Sequence, residues 1–358
     1  MDRLPVIDAD GHVFEPDSLW EDYLEQRFLG RRPRLLRDER GTTRYVLEGL
    51  RIPNGTGRGA WAPEGIMEAS LHREGGVDPK LRLTDMDEEG IDTAVLFGTF
   101  GLALWVAPDP EFNAALCRAY NDWLADYCSA DPRRLRAVAA LPLRSIASSV
   151  REAHRTVADK RCVALALPVN VLGTNPDDPK LFPLYEAAVE LDVPIAFHAG
   201  GGRFAEDRFT DAYAIAHTVA FPMDVLFGLT TLLCGCVLEL FPTLRVALME
   251  AGCGFLPYFL ERLDEHFEKR PGEMPITRKP SETFAEGRCY VSCEPEERSL
   301  ALVAGSLGPE SILYASDYPH WDCEFPNSVR AISRRQELDE ETKRAILHDN
   351  AQRLFGFD

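Results

Sequence analysis

Residues 311–317 read SILYASD, an apolar run that ends on a serine and an aspartate. An acidic side chain where a buried strand runs out matters if other strand ends converge on it. The run Leu4–Asp8 leads into Asp10 and His12, Val193–Phe197 ends on His198, and Leu244–Met249 ends on Glu250. Four further runs, Asp92–Phe97, Arg136–Leu141, Cys162–Leu167 and Cys289–Cys293, have the same character. Near-continuous apolarity suits parallel strands covered on both faces. Segments with helical spacing lie between them, among them Phe112–Tyr127, Ser145–Ala158, Leu181–Leu191, Met223–Leu240 and Leu256–Phe267. Eight strands alternating with helices predict an α/β fold, a (β/α)8 TIM barrel, with an open doubly wound sheet as the alternative. The polar ends of strands 1, 5, 6 and 8 favour closure, because only curling brings strand 8 beside strand 1.

The chain of 358 residues reads as one barrel domain over 1–358, with 14–81 as an insertion after the first strand, near the barrel mouth. That segment holds FEPDSLWEDYLEQRF, a hairpin candidate at TTRYVLEGLRIP and a glycine-rich loop, NGTGRGAWAPEG. A lid and a plain surface excursion are both open readings for it. The net charge of −19 argues against nucleic acid or an anionic membrane as partner. A small-molecule substrate is the expected partner, and a homodimer the commonest assembly. Nine cysteines without a CxxC pair suggest free thiols in a reducing compartment. MDRLPVIDAD has no apolar signal core and no apolar run approaches ~18 residues, so a cytoplasmic protein is expected.

Asp10, His12, His198 and Asp317 make a set of two carboxylates and two imidazoles that one divalent ion can share. Asp10 and His12 are two apart, so an extended backbone points both the same way. Zn²⁺ suits this ligand set best and Mn²⁺ is second. The strand-4 exit, ALALP, offers no lysine or carboxylate to bridge a second ion. Asp317 is also a candidate proton acceptor, and Glu250 and His217 are candidate acids. Glu294 and His320 are expected close behind these, Phe14, Trp105 and Trp321 as apolar walls, and Arg144 or Arg203 as receptors for a substrate carboxylate. Each has a plainer reading: turn caps for the acids, satisfied core or helix-start positions for the histidines, packing for the aromatics.

VIDADGHVFEP, PIAFHAGG, FPTLRVALMEAGCGFLPYFLERLDEH, ILYASDYPHWDCEFP and HDNAQRLFGF together resemble the amidohydrolase superfamily. More narrowly, they resemble the amidohydrolase-2 group, which includes aminocarboxymuconate-semialdehyde decarboxylase and related decarboxylases. The resemblance implies a metal-dependent barrel with Asp10, His12, His198 and Asp317 as ligands. The decarboxylases of that group usually carry a histidine at the strand-6 exit, where this chain has Glu250; His217 is the residue that would supply the imidazole. The leading expectation is a hydrolase that uses metal-activated water on an amide, lactone or activated C–C bond of a small cyclic or aromatic molecule. The alternative is a non-oxidative decarboxylase of an aromatic or unsaturated acid. An inactive barrel that binds a small molecule is a third reading.

Overall fold

The computed structural model describes residues 3–37, 43–52, 73–170, 173–199 and 213–357. Eight parallel strands follow one another around a barrel: β1 (Ile7–Val13), β2 (Thr93–Gly98), β3 (Leu135–Ala140), β4 (Ala164–Pro168), β5 (Ile195–His198), β6 (Val246–Met249), β7 (Cys289–Cys293) and β8 (Ile312–Tyr314). Each strand splits its apolar residues between two layers. Val95, Val138, Ala196 and Ala247 point into the barrel, while Leu96, Ala139, Phe197 and Leu248 face the surrounding helices. That two-sided burial is why the runs read as continuously apolar. Ala351, Leu354 and Phe355 of the C-terminal helix join the inner cluster.

Strand β1 departs from expectation. It does not end at Asp8 but continues to Val13, so Asp10 and His12 lie within it. Ile7 and Asp8 pair with Thr93 and Ala94, and Gly11 next pairs with Leu96, so β1 carries one extra residue between them. This bulge shifts the alternation. Ile7 and Ala9 belong to the inner cluster, yet Asp10 and His12 also reach the barrel centre, while Gly11 faces outward.

The seam between β1 and β8 is closed beyond the end of β8. His12 N donates to Tyr318 O at 2.7 Å, and Asp317 N donates to Asp10 O at 3.0 Å. Asp8 accepts from Ser316 N at 2.9 Å and from Ser316 Oγ at 2.6 Å. Arg82, 1% exposed, donates through Nη1 to His12 O at 2.9 Å, and its Nη2 lies 3.8 Å from Asp8 Oδ2. It comes from the helix Pro79–Glu89, which Asp78 caps through Lys80 N and Leu81 N and which Gly90 ends in a left-handed turn. A Cβ on Gly11 would stand 2.4 Å from Arg82 Nη2 and 2.8 Å from Asp8 Oδ2. Gly11→Ala is therefore expected to destabilise by ~1–3 kcal/mol, read from the urea midpoint; an unchanged midpoint would show that this seam tolerates the methyl.

After β1 the chain forms the helix Asp17–Tyr23, the 3-10 turn Gln26–Arg31 and an antiparallel sheet of Arg34–Arg37, Thr43–Leu47 and Leu50–Ile52. Tyr45 of this sheet stacks on Phe100, just after β2, with ring centroids 4.0 Å apart. The glycine-rich loop of the expected insertion lies outside the described residues. The helix expected over Met223–Leu240 instead spans Tyr213–Cys234, and Cys236 at φ +70° separates it from the short turn Val237–Leu240. Contrary to expectation, Ala214–Cys234 is long and apolar enough to cross a bilayer. In this fold Val225, Leu229 and Leu232 of that helix are fully buried in the core shared with β5 and β6.

Candidate active site

Three ligand atoms converge at the C-terminal end of the barrel. His12 Nε2 is 3.4 Å from Asp10 Oδ1 and 3.3 Å from His198 Nε2, and His198 Nε2 is 3.6 Å from Asp10 Oδ1. Asp317 Oδ1 stands 3.4 Å from His12 Nε2. A tetrahedral ion with bonds of ~2.0–2.1 Å needs donor separations of about 3.4 Å, so these spacings fit one small divalent ion. Asp10 Oδ1 and Asp317 Oδ1 are buried and accept no well-directed hydrogen bond, which leaves them with charge to share. The residues present fit the group that the sequence implies.

The imidazoles are aimed from behind. His12 Nδ1 lies 3.3 Å from Gly98 O, and His198 Nδ1 lies 3.0 Å from Ala199 O and 3.1 Å from Glu250 Oε2. A carbonyl only accepts, so each Nδ1 carries a proton, and with an ion bound each Nε2 would turn its lone pair to it. Glu250 and Asp317, at the exits of β6 and β8, both have left-handed backbones, at φ +67° and +53°. Non-glycine residues hold that conformation at a cost, and such strain collects at functional sites.

Charge in the centre is unevenly distributed. Burial pushes the Asp10 carboxyl up, but His198 and His12 outweigh it and hold the group below the ordinary carboxylate range. Burial raises Glu250 well above that range, reinforced by Asp317 and Asp10. Asp317 is likewise raised by burial, against the pull of His12, with Asp322 and Asp10 adding to the rise. A divalent cation would offset this concentration of negative charge.

A cleft of about 960 Å³, part of it open to solvent, leads from this centre. His217, Glu250, Glu294 and Asp317 line it, together with Phe221, Pro222, Ala251 and Asp322. His217 packs on Phe221 at 4.3 Å and meets the edge of Trp321, itself half exposed, at 5.9 Å. His320 is nearer the centre than expected: its Nδ1 is 2.7 Å from Asp317 Oδ1 and its ring lies 4.2 Å from that of His12. His12, Asp317 and His320 therefore form a second ligand-like group that overlaps the first.

Three expected substrate contacts are placed otherwise. Arg144 Nε donates to Trp105 O and Ala107 O, and Nη2 donates to Val106 O, each at 3.0 Å. Its donors clasp the loop after β2, so it is not a free receptor for a carboxylate. Trp105 supplies one of those carbonyls and packs its half-buried ring on the core. Phe14, 2% exposed, belongs to the core behind His320. Arg203 lies outside the described residues. Glu15, Gly98 and Thr99 carry no signal in the sequence; only the fold sets Gly98 and Thr99 against the histidines and Glu15 against the loop that carries them.

A family model described as Amidohydrolase matches residues 7–357. The chain belongs to the amidohydrolase family. Among its curated relatives is the 2-amino-3-carboxymuconate-6-semialdehyde decarboxylase of Dictyostelium discoideum, 26% identical over 289 residues, 78% of this chain and 77% of that one. The gamma-resorcylate decarboxylase of a Polaromonas species is 28% identical over 296 residues, 78% and 86% of the two chains. The 5-carboxyvanillate decarboxylase of Novosphingobium aromaticivorans, solved with manganese and 4-hydroxy-3-methoxy-5-nitrobenzoic acid, superposes with a TM-score of 0.74 at 20% identity, covering 99% and 96%. This amidohydrolase is thus an enzyme whose centre suits a single divalent metal ion.

Proposed function

We propose that this amidohydrolase is a metal-dependent non-oxidative decarboxylase of an aromatic or unsaturated carboxylic acid. The alternative reading of the sequence replaces the hydrolase as the leading one, because the curated relatives described above are decarboxylases over most of their length. The observation that carries it here is the placement of Glu250, a carboxyl that lines the cleft with Oε2 3.1 Å from Nδ1 of His198, beside the proposed ion. Loss of carbon dioxide leaves an electron pair on carbon, and the step is completed by a proton donor.

Asp10, His12, His198 and Asp317 would hold the ion, which would polarise the substrate carboxylate or a neighbouring oxygen. Two carboxylates and two imidazoles accept Zn²⁺ or Mn²⁺, and the manganese in the 5-carboxyvanillate decarboxylase makes Mn²⁺ the first ion to test. Phe221, Pro222 and Ala251 give the cleft an apolar wall for a flat ring. As the C–C bond to the carboxylate breaks, Glu250 would deliver its proton to the carbon and recover one from solvent. His217, on the same cleft, is the second candidate donor.

The test is incubation of the Mn²⁺-loaded protein with hydroxybenzoic acids in D₂O and in ¹⁸O-labelled water. Carbon dioxide release with one deuterium on the product carbon supports decarboxylation. Solvent oxygen in the product without carbon dioxide would return the reading to hydrolysis. Glu250→Gln is expected to lower kcat by about 10²–10⁴ while metal content, read by elemental analysis, stays at the wild-type level. Full turnover in that variant would remove Glu250 as the acid.

A further inference from the structure

We infer that Glu15 is a positioning residue for the metal centre: by holding the loop from Gly98 to Gly101 it fixes the imidazoles of His12 and His320. The inference rests on the metal-centred reading of the site. Glu15 is 1% exposed. Its Oε1 accepts from Gly101 N at 2.7 Å and its Oε2 from Phe100 N at 3.0 Å. Among the described residues its carboxylate is met by backbone amides rather than by an arginine or lysine, and burial pushes it up to about 7. An acid kept buried in this way costs stability, so what it holds is of interest.

What it holds is the loop that orients the site. Gly98 O faces His12 Nδ1, and the Thr99 hydroxyl is hydrogen-bonded to His320 Nε2 at 3.0 Å. The same loop is tied to β1 by Thr99 N donating to Val13 O at 3.1 Å. Loop and carboxylate are fitted to each other. A Cβ on Gly98 would stand 2.4 Å from Glu15 Oε1, and one on Gly101 would stand 2.9 Å from it; Tyr120 closes the other side at 2.8 Å from both. Only glycines let the backbone approach this closely. Among the described residues Glu15 makes its hydrogen bonds to the loop amides and none to either histidine, so its effect passes through the Gly98 carbonyl and the Thr99 hydroxyl.

Glu15→Gln tests this with little change of shape. The amide has one acceptor oxygen, so its NH₂ must face either Phe100 N or Gly101 N, donor against donor, and the loop is released at one point. ¹⁵N-histidine spectra of the metal-free protein report which ring nitrogen carries the proton. In the wild type, His12 is expected as the Nδ1–H form. In Glu15→Gln it is expected as a mixture, with Mn²⁺ binding weaker by at least about tenfold and cooperative melting retained. A folded variant with wild-type histidine signals and Mn²⁺ affinity within about twofold of the wild type would overturn the inference. If Glu15→Gln does not fold, Thr99→Val removes only the hydroxyl. The His320 signals should then shift while Mn²⁺ affinity holds, and unchanged His320 signals count against the inference. A wild type that binds no Mn²⁺ would refute the metal-centred reading instead; the metal-free spectra would still judge Glu15.

Discussion

Asp317→Asn is expected to reduce turnover by about 10²–10⁴ and to abolish the stabilisation that Mn²⁺ gives, while the metal-free variant melts at or above the wild-type temperature. The two effects have opposite signs for one reason. Asp317 is crowded with Asp10, Asp322 and Glu250 in a buried centre, and its carboxyl is pushed well up. An acid whose pKa rises on folding binds more protons folded than unfolded. Its ionised form therefore costs the metal-free fold stability as pH climbs above the ordinary carboxylate value of ~4. Asparagine removes that cost, so the metal-free variant should also lose part of the decline in melting temperature between acidic and neutral pH. Asparagine tolerates the left-handed backbone at φ +53°, so the exchange adds no strain there. With the ion present the balance reverses. An ion at a hundredfold excess over its Kd stabilises the wild type by about 2.7 kcal/mol. Melting curves with and without Mn²⁺ read both signs, and an Mn²⁺ response equal to that of the wild type would exclude Asp317 as a ligand.

The strand ends were legible because each pairs an apolar run with a polar residue: His198 closes β5 and Glu250 follows β6. The bulge in β1 was not. Asp10 and Gly11 interrupt the apolar run, so the strand reads as ending at Asp8, although ladder bonds to β2 carry it on to Val13. Arg144 looked free at the exit of β3 because the carbonyls it clasps belong to residues 105–107, about forty positions earlier. Glu15 followed a strand and preceded a proline, a pattern shared with any exposed helix start. Its burial depends on a loop after β2, more than eighty residues downstream. His320 was readable as close to Asp317, three residues away, but its bond to Thr99 was not. Local chemistry gave the ends of strands; contacts between distant loops decide which side chains are free to act.

Arg82→Met is expected to cost about 3–5 kcal/mol of stability, the largest loss for any single side chain named above. The guanidinium is buried against Asp8, lies 4.4 Å over the Tyr318 ring, and donates to His12 O at the point where β1 and β8 meet without a shared ladder. Asp8 is itself fully buried; burial pushes its carboxyl up to about 6, and Arg82 with Ser316 opposes that rise. Methionine fills most of the volume but leaves Asp8 without its cation and His12 O without its donor, and these losses together supply most of the penalty. Asp8→Asn together with Arg82→Met should therefore be more stable than Arg82→Met alone, a coupling of at least about 1 kcal/mol in urea unfolding. The consequence reaches the centre, since Arg82 holds the carbonyl of His12 and the seam bonds set Asp317 beside Asp10. Mn²⁺ affinity should fall in both variants even where the double change recovers stability. A double variant as unstable as Arg82→Met would place the loss in packing rather than in the ion pair, and wild-type Mn²⁺ affinity in either would separate the seam from the metal site.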